Sequence, residues 1–122
     1  MTDTTYTLLR SPERLVGTDT VTWAAMGASV DGAPYAYGKF PDKTVQVFGT
    51  FGGTVTLQGS NDPRVLSDPG NAVWFTLLDI DGDAITFTAA GARVIRENPR
   101  FIRPSNGSGI TASTCIIHAV GE

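Results

Sequence analysis

The residue types that most often perform catalysis are sparse in this sequence. It contains one histidine, His118, and one cysteine, Cys115, both in the same C-terminal run. A catalytic histidine needs a nucleophile or a carboxylate as its partner, and nothing around His118 forms such a pattern. Cys115 stands among alternating apolar residues, which predicts a buried structural thiol. We therefore expect no catalytic residue and no enzyme activity.

Three carboxylates crowd residues 79–83 (DIDGD), and closely spaced acids can share a hard cation. The stretch departs from the EF-hand loop, because glycine occupies its fourth position instead of the sixth, and Ala90 occupies its twelfth instead of glutamate. Asp-Gly between two alternating runs is foremost a hairpin signal. The polar residues 60–62 are interpreted in the same way, as a loop. We expect no metal site and no cofactor.

The composition excludes several classes of partner. The 122 residues carry a net charge of -3 and contain no run of Lys or Arg, which argues against nucleic acid binding. Charged residues make up 17% of the chain, below the roughly 25% of ordinary domains, and a low charge suits a contact surface. The sequence shows no signal peptide and no apolar run long enough to span a membrane. We expect the protein to be made and kept in a cytoplasm and to have no membrane partner.

The clearest structural signal lies in residues 44–62. Apolar and polar residues alternate up to residue 51 and again from residue 54, and Gly52-Gly53 stands between the two runs. Two such runs joined by Gly-Gly predict an antiparallel hairpin, since both glycines can adopt the positive φ that a tight turn requires. The other strands are expected to pair around this hairpin.

Alternating runs predict the remaining strands, and no segment of helical length keeps the apolar spacing of a helix. Val21 and Trp23 are predicted to point inward from one of these strands, Asp31-Gly32 is predicted to form a turn, and residues 104–109 are predicted to form a loop. About seven to nine short strands predict one all-β domain over residues 1–122, an antiparallel β-sandwich or jelly roll. The predicted strands outside the hairpin are 19–23, 73–78, 84–88, 93–97, 100–103 and 111–120.

Candidate interface residues lie on predicted edges. Residues 1–15 are expected to form either a short edge strand or an N-terminal arm that packs on a neighbour. Residues 33–41 are bounded by prolines, which cannot donate to a ladder, and they carry tyrosines, which are enriched at protein contacts. Trp74 belongs to a run with apolar residues on both faces, so it serves either the core or a partner. The candidates are Tyr6, Leu8, Tyr35, Tyr37, Phe40 and Trp74.

One combination of segments resembles a known class of protein. Residues 49–62 (GTFGGTVTLQGSND) are followed by WFTL at 74–77, an Asp-Gly turn, ITFT at 85–88 and ENPRFIRP at 97–104. This order resembles small structural proteins encoded among the virion genes of tailed bacteriophages and prophages, several of which are capsid decoration, or cement, proteins. The resemblance covers roughly residues 44–104. The order of these motifs is also similar to jelly-roll binding modules of the discoidin type.

The resemblance implies a β-sandwich without catalytic residues that resides in the virion. We expect a decoration protein that binds the major capsid protein, stabilises the head shell and associates with itself as a dimer or trimer. Two alternatives stay open. The first is a tail or baseplate component, and the second is a carbohydrate-binding module that uses Trp74 or the pair Tyr35 and Tyr37 as a stacking platform.

Overall fold

Alternation of apolar and polar residues gives strands along most of the chain. The computed structural model describes residues 3–4, 7–10, 18–36 and 41–120. Seven of its strands have four residues or more, and five have two. The strands are β1 (Asp3–Thr4), β2 (Thr7–Arg10), β3 (Thr18–Met26), β4 (Asp31–Gly32), β5 (Tyr35–Ala36), β6 (Asp42–Thr50), β7 (Val55–Ser60), β8 (Phe75–Thr76), β9 (Thr86–Phe87), β10 (Gly91–Ile95), β11 (Phe101–Asn106) and β12 (Ala112–Val120).

These strands form two sheets that face each other. The five-stranded sheet has the order β10-β6-β12-β3-β2. The seven-stranded sheet has the order β1-β4-β11-β7-β8, with β5 also on β11 and β9 also on β7. All pairings are antiparallel except that of β1 with β4. The predicted all-β sandwich is confirmed. Helical structure in the described chain is limited to α1 (Arg64–Ser67) and a 3₁₀ turn (Pro69–Asn71).

The core lies between the sheets and follows the predicted alternation. Trp23 is fully buried, and its indole N–H donates to the carbonyl of Ala33 over 2.9 Å. The inward positions predicted for Val21 and Trp23 are therefore confirmed. Cys115 is also buried as predicted, and this burial raises the pKa of its thiol because the thiolate would be desolvated.

The predicted hairpin of residues 44–62 is wrong in its pairing. Both strands exist as β6 and β7, but β6 pairs with β10 and β12, whereas β7 pairs with β8, β9 and β11. The chain therefore crosses from one sheet to the other at residues 51–54. A second crossing joins β11 to β12 beside it, where the Gly107 N–H donates to the carbonyl of Thr54 over 2.8 Å.

The glycines of this crossing have a different role from the predicted one. Positive φ among the described glycines occurs at Gly49 and Gly82, not at Gly52 or Gly53. A Cβ on Gly52 would come within 2.6 Å of the carbonyl oxygen of Gly109. Gly52 and Gly53 therefore allow the two crossings to approach closely, which a side chain would prevent.

The structure also differs from the prediction at one turn and one loop. Asp31-Gly32, predicted as a turn, forms β4, which pairs with β1 and β11. A Cβ on Gly32 would lie 2.6 Å from the ring of Trp23. The glycine thus makes room for the tryptophan in the core. The predicted loop at 104–109 begins later, since β11 continues through Pro104 to Asn106 and pairs with β7 along that length.

The segment between β8 and β9 closes one side of the sandwich. Both strands pair with the same edge of β7, and the chain between them reaches the other sheet, where the Ile80 N–H donates to the carbonyl of Val94 over 3.2 Å. The turn predicted at 79–83 is confirmed, with Gly82 at φ 86°. The predicted strands 73–78 and 84–88 are present only as the two-residue β8 and β9. Between them, Leu78 and Ala84 form an isolated antiparallel bridge.

Within the predicted N-terminal arm, the described residues pair inside the chain. β2 lies antiparallel to β3 at the edge of the five-stranded sheet. β1 lies parallel to β4 in the other sheet. The segment therefore contributes to both sheets.

Candidate interaction surface

The acidic residues at 79–83 organise their own loop. Asp79 Oδ1 accepts the N–H groups of Asp81 and Asp83 over 2.9 and 3.0 Å, and its Oδ2 lies 3.3 Å from Arg93 Nη1. These donors and the nearby guanidinium lower the pKa of the Asp79 carboxyl. No group of three or more His, Cys, Asp or Glu side chains in the described part of the chain is placed to hold a metal ion.

Asp62 fixes the segment that leads to Trp74. Its carboxylate accepts two side-chain N–H groups and the backbone N–H of Arg64. Its Oδ2 also accepts the N–H of Val73 over 3.0 Å. The hydrogen bonds from Arg64, followed by that from Val73, hold the pKa of Asp62 well below its usual range. The carboxylate thereby joins the start of the 63–72 excursion to its end.

Tyr35 does not present a surface to a partner. It is 3% exposed, and its hydroxyl donates to the buried carboxylate of Asp19. The prediction of an exposed aromatic edge therefore does not hold for Tyr35. The cause is that β5 pairs with β11 and places the ring within the core cluster.

Four other candidates are placed as follows. Tyr6, Tyr37 and Phe40 lie outside the described residues, so their interface role stays a prediction. Leu8 belongs to β2, where its backbone is the register partner of Val21.

Trp74 is half-buried, and the guanidinium of Arg103 covers one face of its ring at 4.0 Å from the centroid. Arg103 is held in place by Gln58, whose Oε1 accepts its Nε–H over 2.9 Å, and by Asp31 at 3.3 Å. Such a stack is a favourable cation–π contact, and it orients both groups. Trp74 thus anchors its segment to the outside of the seven-stranded sheet.

Exposed apolar residues precede and follow this anchor in the sequence. Leu66 lies on α1, and Val73 and Phe75 flank Trp74; all three are exposed. Asp62 ties Val73 to the start of the same excursion. We call Leu66, Val73, Trp74 and Phe75 the apolar edge, since β8 lies at the edge of its sheet.

A second surface covers the outside of the five-stranded sheet. Buried Val45 and Val47 alternate with outward residues on β6, and buried Cys115 and Ile117 do so on β12. Register then places the outward residues of neighbouring strands side by side. We call this surface the threonine face; it comprises Thr20, Thr22, Asp42, Thr44, Gln46, Phe48, Val94, Thr114, Ile116, His118 and Val120.

The threonine face is nearly free of charge. Asp42, at one end of β6, is the one Asp, Glu, Lys or Arg residue of the set that defines it. His118 lies toward the same end, where its Nδ1 is 2.8 Å from the Thr20 hydroxyl on the adjacent strand. The histidine is exposed, and its hydrogen bond links two neighbouring strands across this surface.

The two surfaces together account for most of the exposed apolar bulk. Seven large hydrophobic residues are exposed among the described residues. Three of them, Phe48, Val94 and Val120, lie on the threonine face, and three lie on the apolar edge. The sequence indicated low charge but did not show that uncharged side chains gather on one face, because this depends on which strands are neighbours.

Comparison with known proteins shows the fold. No protein-family model matches the chain, and no curated protein matches it. The crystal structure of the SPBc2 prophage-derived protein YomS superposes with a TM-score of 0.61 at 13% identity, over 85% of this chain and 95% of that one. At this identity the likeness establishes a shared fold alone.

Two further structures are more distant. An RmlC-like cupin from Desulfovibrio desulfuricans gives a TM-score of 0.45 at 7% identity, over 93% of this chain and 81% of that one. PliG, a periplasmic lysozyme inhibitor from Aeromonas hydrophila, gives a TM-score of 0.42 at 10% identity, over 98% of this chain and 96% of that one. Both structures are too distant to indicate a function for this chain. No helix in the described ranges is long and apolar enough to cross a membrane.

Proposed function

We propose that this chain is a structural protein of a phage virion, and that it decorates the capsid by binding and stabilising the head shell. The observation that carries the proposal is the presence of two separate contact surfaces. The threonine face covers the outside of one sheet, and the apolar edge borders the other. A rigid body with two such surfaces can contact two protein bodies at once, as a protein that reinforces a shell must do.

Two comparisons support a phage origin. Residues 44–104 carry the motif order that resembles virion structural proteins. The fold matches that of a prophage-derived protein over nearly its full length. Side chains that could perform catalysis are instead tied into structure, as Asp79 and Asp62 illustrate, so we propose a binding role and not an enzyme.

We assign the shell contact to the apolar edge. Phe75 and Val73 are exposed on a segment that Asp62 and the stack of Trp74 with Arg103 hold in one conformation. A preorganised apolar surface loses little entropy on binding, which favours affinity. Many copies on a shell multiply a modest single contact, because neighbouring subunits offer a high local concentration of sites.

Binding to heads tests the proposal. Expanded heads lacking this protein, from the phage that encodes it, should bind the purified chain and melt at a higher temperature afterwards. Phe75→Asp should abolish cosedimentation with heads, because it places a charge in the apolar contact. The matched control is Ile80→Asp, which makes the same change at another exposed apolar residue, outside both surfaces, and should bind like the parent.

Fractionation of virions separates this function from the alternative. Recovery of the chain in head fractions supports decoration. Recovery only with tails or baseplates would overturn the head assignment in favour of a tail component. Major capsid protein is the expected partner in the head fraction.

A further inference from the structure

The threonine face has the dimensions of a protein–protein interface. Its central strands, β6 and β12, have nine residues each, and five strands lie side by side. β3 also has nine residues, whereas the outer strands β10 and β2 have five and four. At about 3.3 Å per residue and about 4.8 Å between strands, the five strands together cover roughly 570 Å². This area is somewhat below the roughly 800 Å² that each partner buries in a complex of standard size.

Charge restricts what can cover this face. The chain carries a net charge of -3, and acidic residues such as Asp68, Asp81 and Asp83 are exposed elsewhere. A strongly basic or acidic partner would find almost no charge on the threonine face to pair with. Two acidic copies, however, can approach through this face without strong repulsion, because Asp42 lies at its end.

The chemistry of the face is also self-complementary. Four threonines, at positions 20, 22, 44 and 114, each supply a hydroxyl that both donates and accepts. Such groups satisfy one another when a surface meets an identical one. Phe48, Val94 and Ile116 supply apolar area between them, and interface cores combine this composition with few charges.

We propose that two copies of this chain associate face to face through their threonine faces, about a two-fold axis. β12 is the central strand of the sheet, so the axis passes near Ile116, which is half-buried and flanked by Gln46 and Thr22. The contact is isologous, since the same residues serve both copies. The two apolar edges stay outside the contact and available to a shell. The dimer does not depend on a role in the virion.

Sedimentation of the purified chain tests this contact without any head present. The parent protein should sediment as a dimer at micromolar concentration. Ile116→Lys and Phe48→Lys should each weaken dimerisation roughly tenfold or more, because each buries a charge in the contact. Val73→Lys and Ile80→Lys make the same change at exposed apolar positions outside the face and should leave the dimer intact. Phe48 is exposed in the single chain, so its variant stays folded even if Ile116→Lys does not.

Covalent trapping gives a second measurement. Ile116→Cys should form an intermolecular disulfide on mild oxidation, whereas Ile80→Cys should not. Cys115 is fully buried, with a raised thiol pKa, and therefore gives little background reaction.

Three outcomes would overturn the proposal. One is a monomer at all concentrations, and another is a dimer that both lysine variants leave unchanged. The third is a trimer, because a face-to-face isologous contact closes at two copies. None of these outcomes bears on head binding, which Phe75→Asp tests separately.

Discussion

Asp62 shows how a single carboxylate can stabilise a surface segment. It accepts hydrogen bonds from Arg64 and Val73, which belong to opposite ends of the 63–72 excursion. The segment between them contains no long regular element that could hold it, only α1 and a 3₁₀ turn. Asp62 therefore helps to position Trp74, together with the Ser60 hydroxyl that donates to the carbonyl of Val73 over 2.6 Å and the stack with Arg103.

We expect Asp62→Asn to loosen this segment. Hydrogen exchange at the Val73 amide should accelerate, because the neutral amide is a weaker acceptor than the carboxylate. The parent protein should show the same faster exchange at Val73 in acid. Since the folded-state pKa of Asp62 is lowered, its stabilisation is present above the ordinary aspartate pKa of about 4 and disappears as the pH falls toward the folded value.

The control is Asp81→Asn, which changes an exposed carboxylate and should leave exchange at Val73 unchanged. Equal exchange in Asp62→Asn and the parent at neutral pH would contradict the assigned role.

Among the elements, the end of β6 imposes both a conformational and a steric demand on one glycine. Gly49 has φ 136°, a conformation that residues with a side chain rarely adopt. It pairs with Ser113 on β12, and a Cβ there would lie 2.9 Å from the Cα of Ser113 and would overlap the carbonyl of Ala112. Only Thr50 stands between this residue and the crossing from one sheet to the other, so Gly49 lies where the strand leaves its sheet.

Gly49→Ala should lower the free energy of unfolding by about 2 kcal/mol or more, from backbone strain together with the steric overlap. Urea unfolding monitored by tryptophan fluorescence gives this value. Gly70→Ala is the matched control, since a Cβ at Gly70 meets nothing within 4 Å, and it should change stability by less than about 0.5 kcal/mol. Similar stabilities for the two variants would show that the crossing tolerates a side chain.

In the whole molecule, the threonine face and the apolar edge lie on different sheets. The threonine face belongs to the five-stranded sheet, and the apolar edge borders the seven-stranded one. Variants at separate sites without shared contacts act independently in most proteins. Contact with a shell and contact between copies should therefore be separable by mutation.

Phe75→Asp should lose head binding and keep the dimer, whereas Phe48→Lys should lose the dimer and keep binding of the single chain to heads. Cosedimentation and sedimentation velocity, applied to both variants, measure the two properties. Binding by Phe48→Lys should be weaker overall, because one contact per molecule replaces two. Loss of both properties in either variant would show that the surfaces are not independent.

Local pattern in the sequence determined the strands and their inward residues. Alternation identified β6, β7 and β12, and it placed Trp23 and Cys115 in the core. This succeeds because a strand's side chains alternate between two faces whatever its neighbours are. Of the candidate interface residues, Trp74 is half-buried and Tyr35 is buried. The sequence did not show the burial of Tyr35, because a short proline-bounded strand does not reveal whether another element covers it.

Tertiary structure alone decided which strands are neighbours. The Gly-Gly pattern predicts a hairpin, yet Gly52-Gly53 carries the chain between sheets and packs closely against the second crossing at Gly109. The threonine face exists for the same reason: residues far apart in sequence, such as Thr20 and His118, meet only through strand pairing. The sequence by itself thus determined the faces of each strand, and long-range pairing determined the surfaces that these faces build.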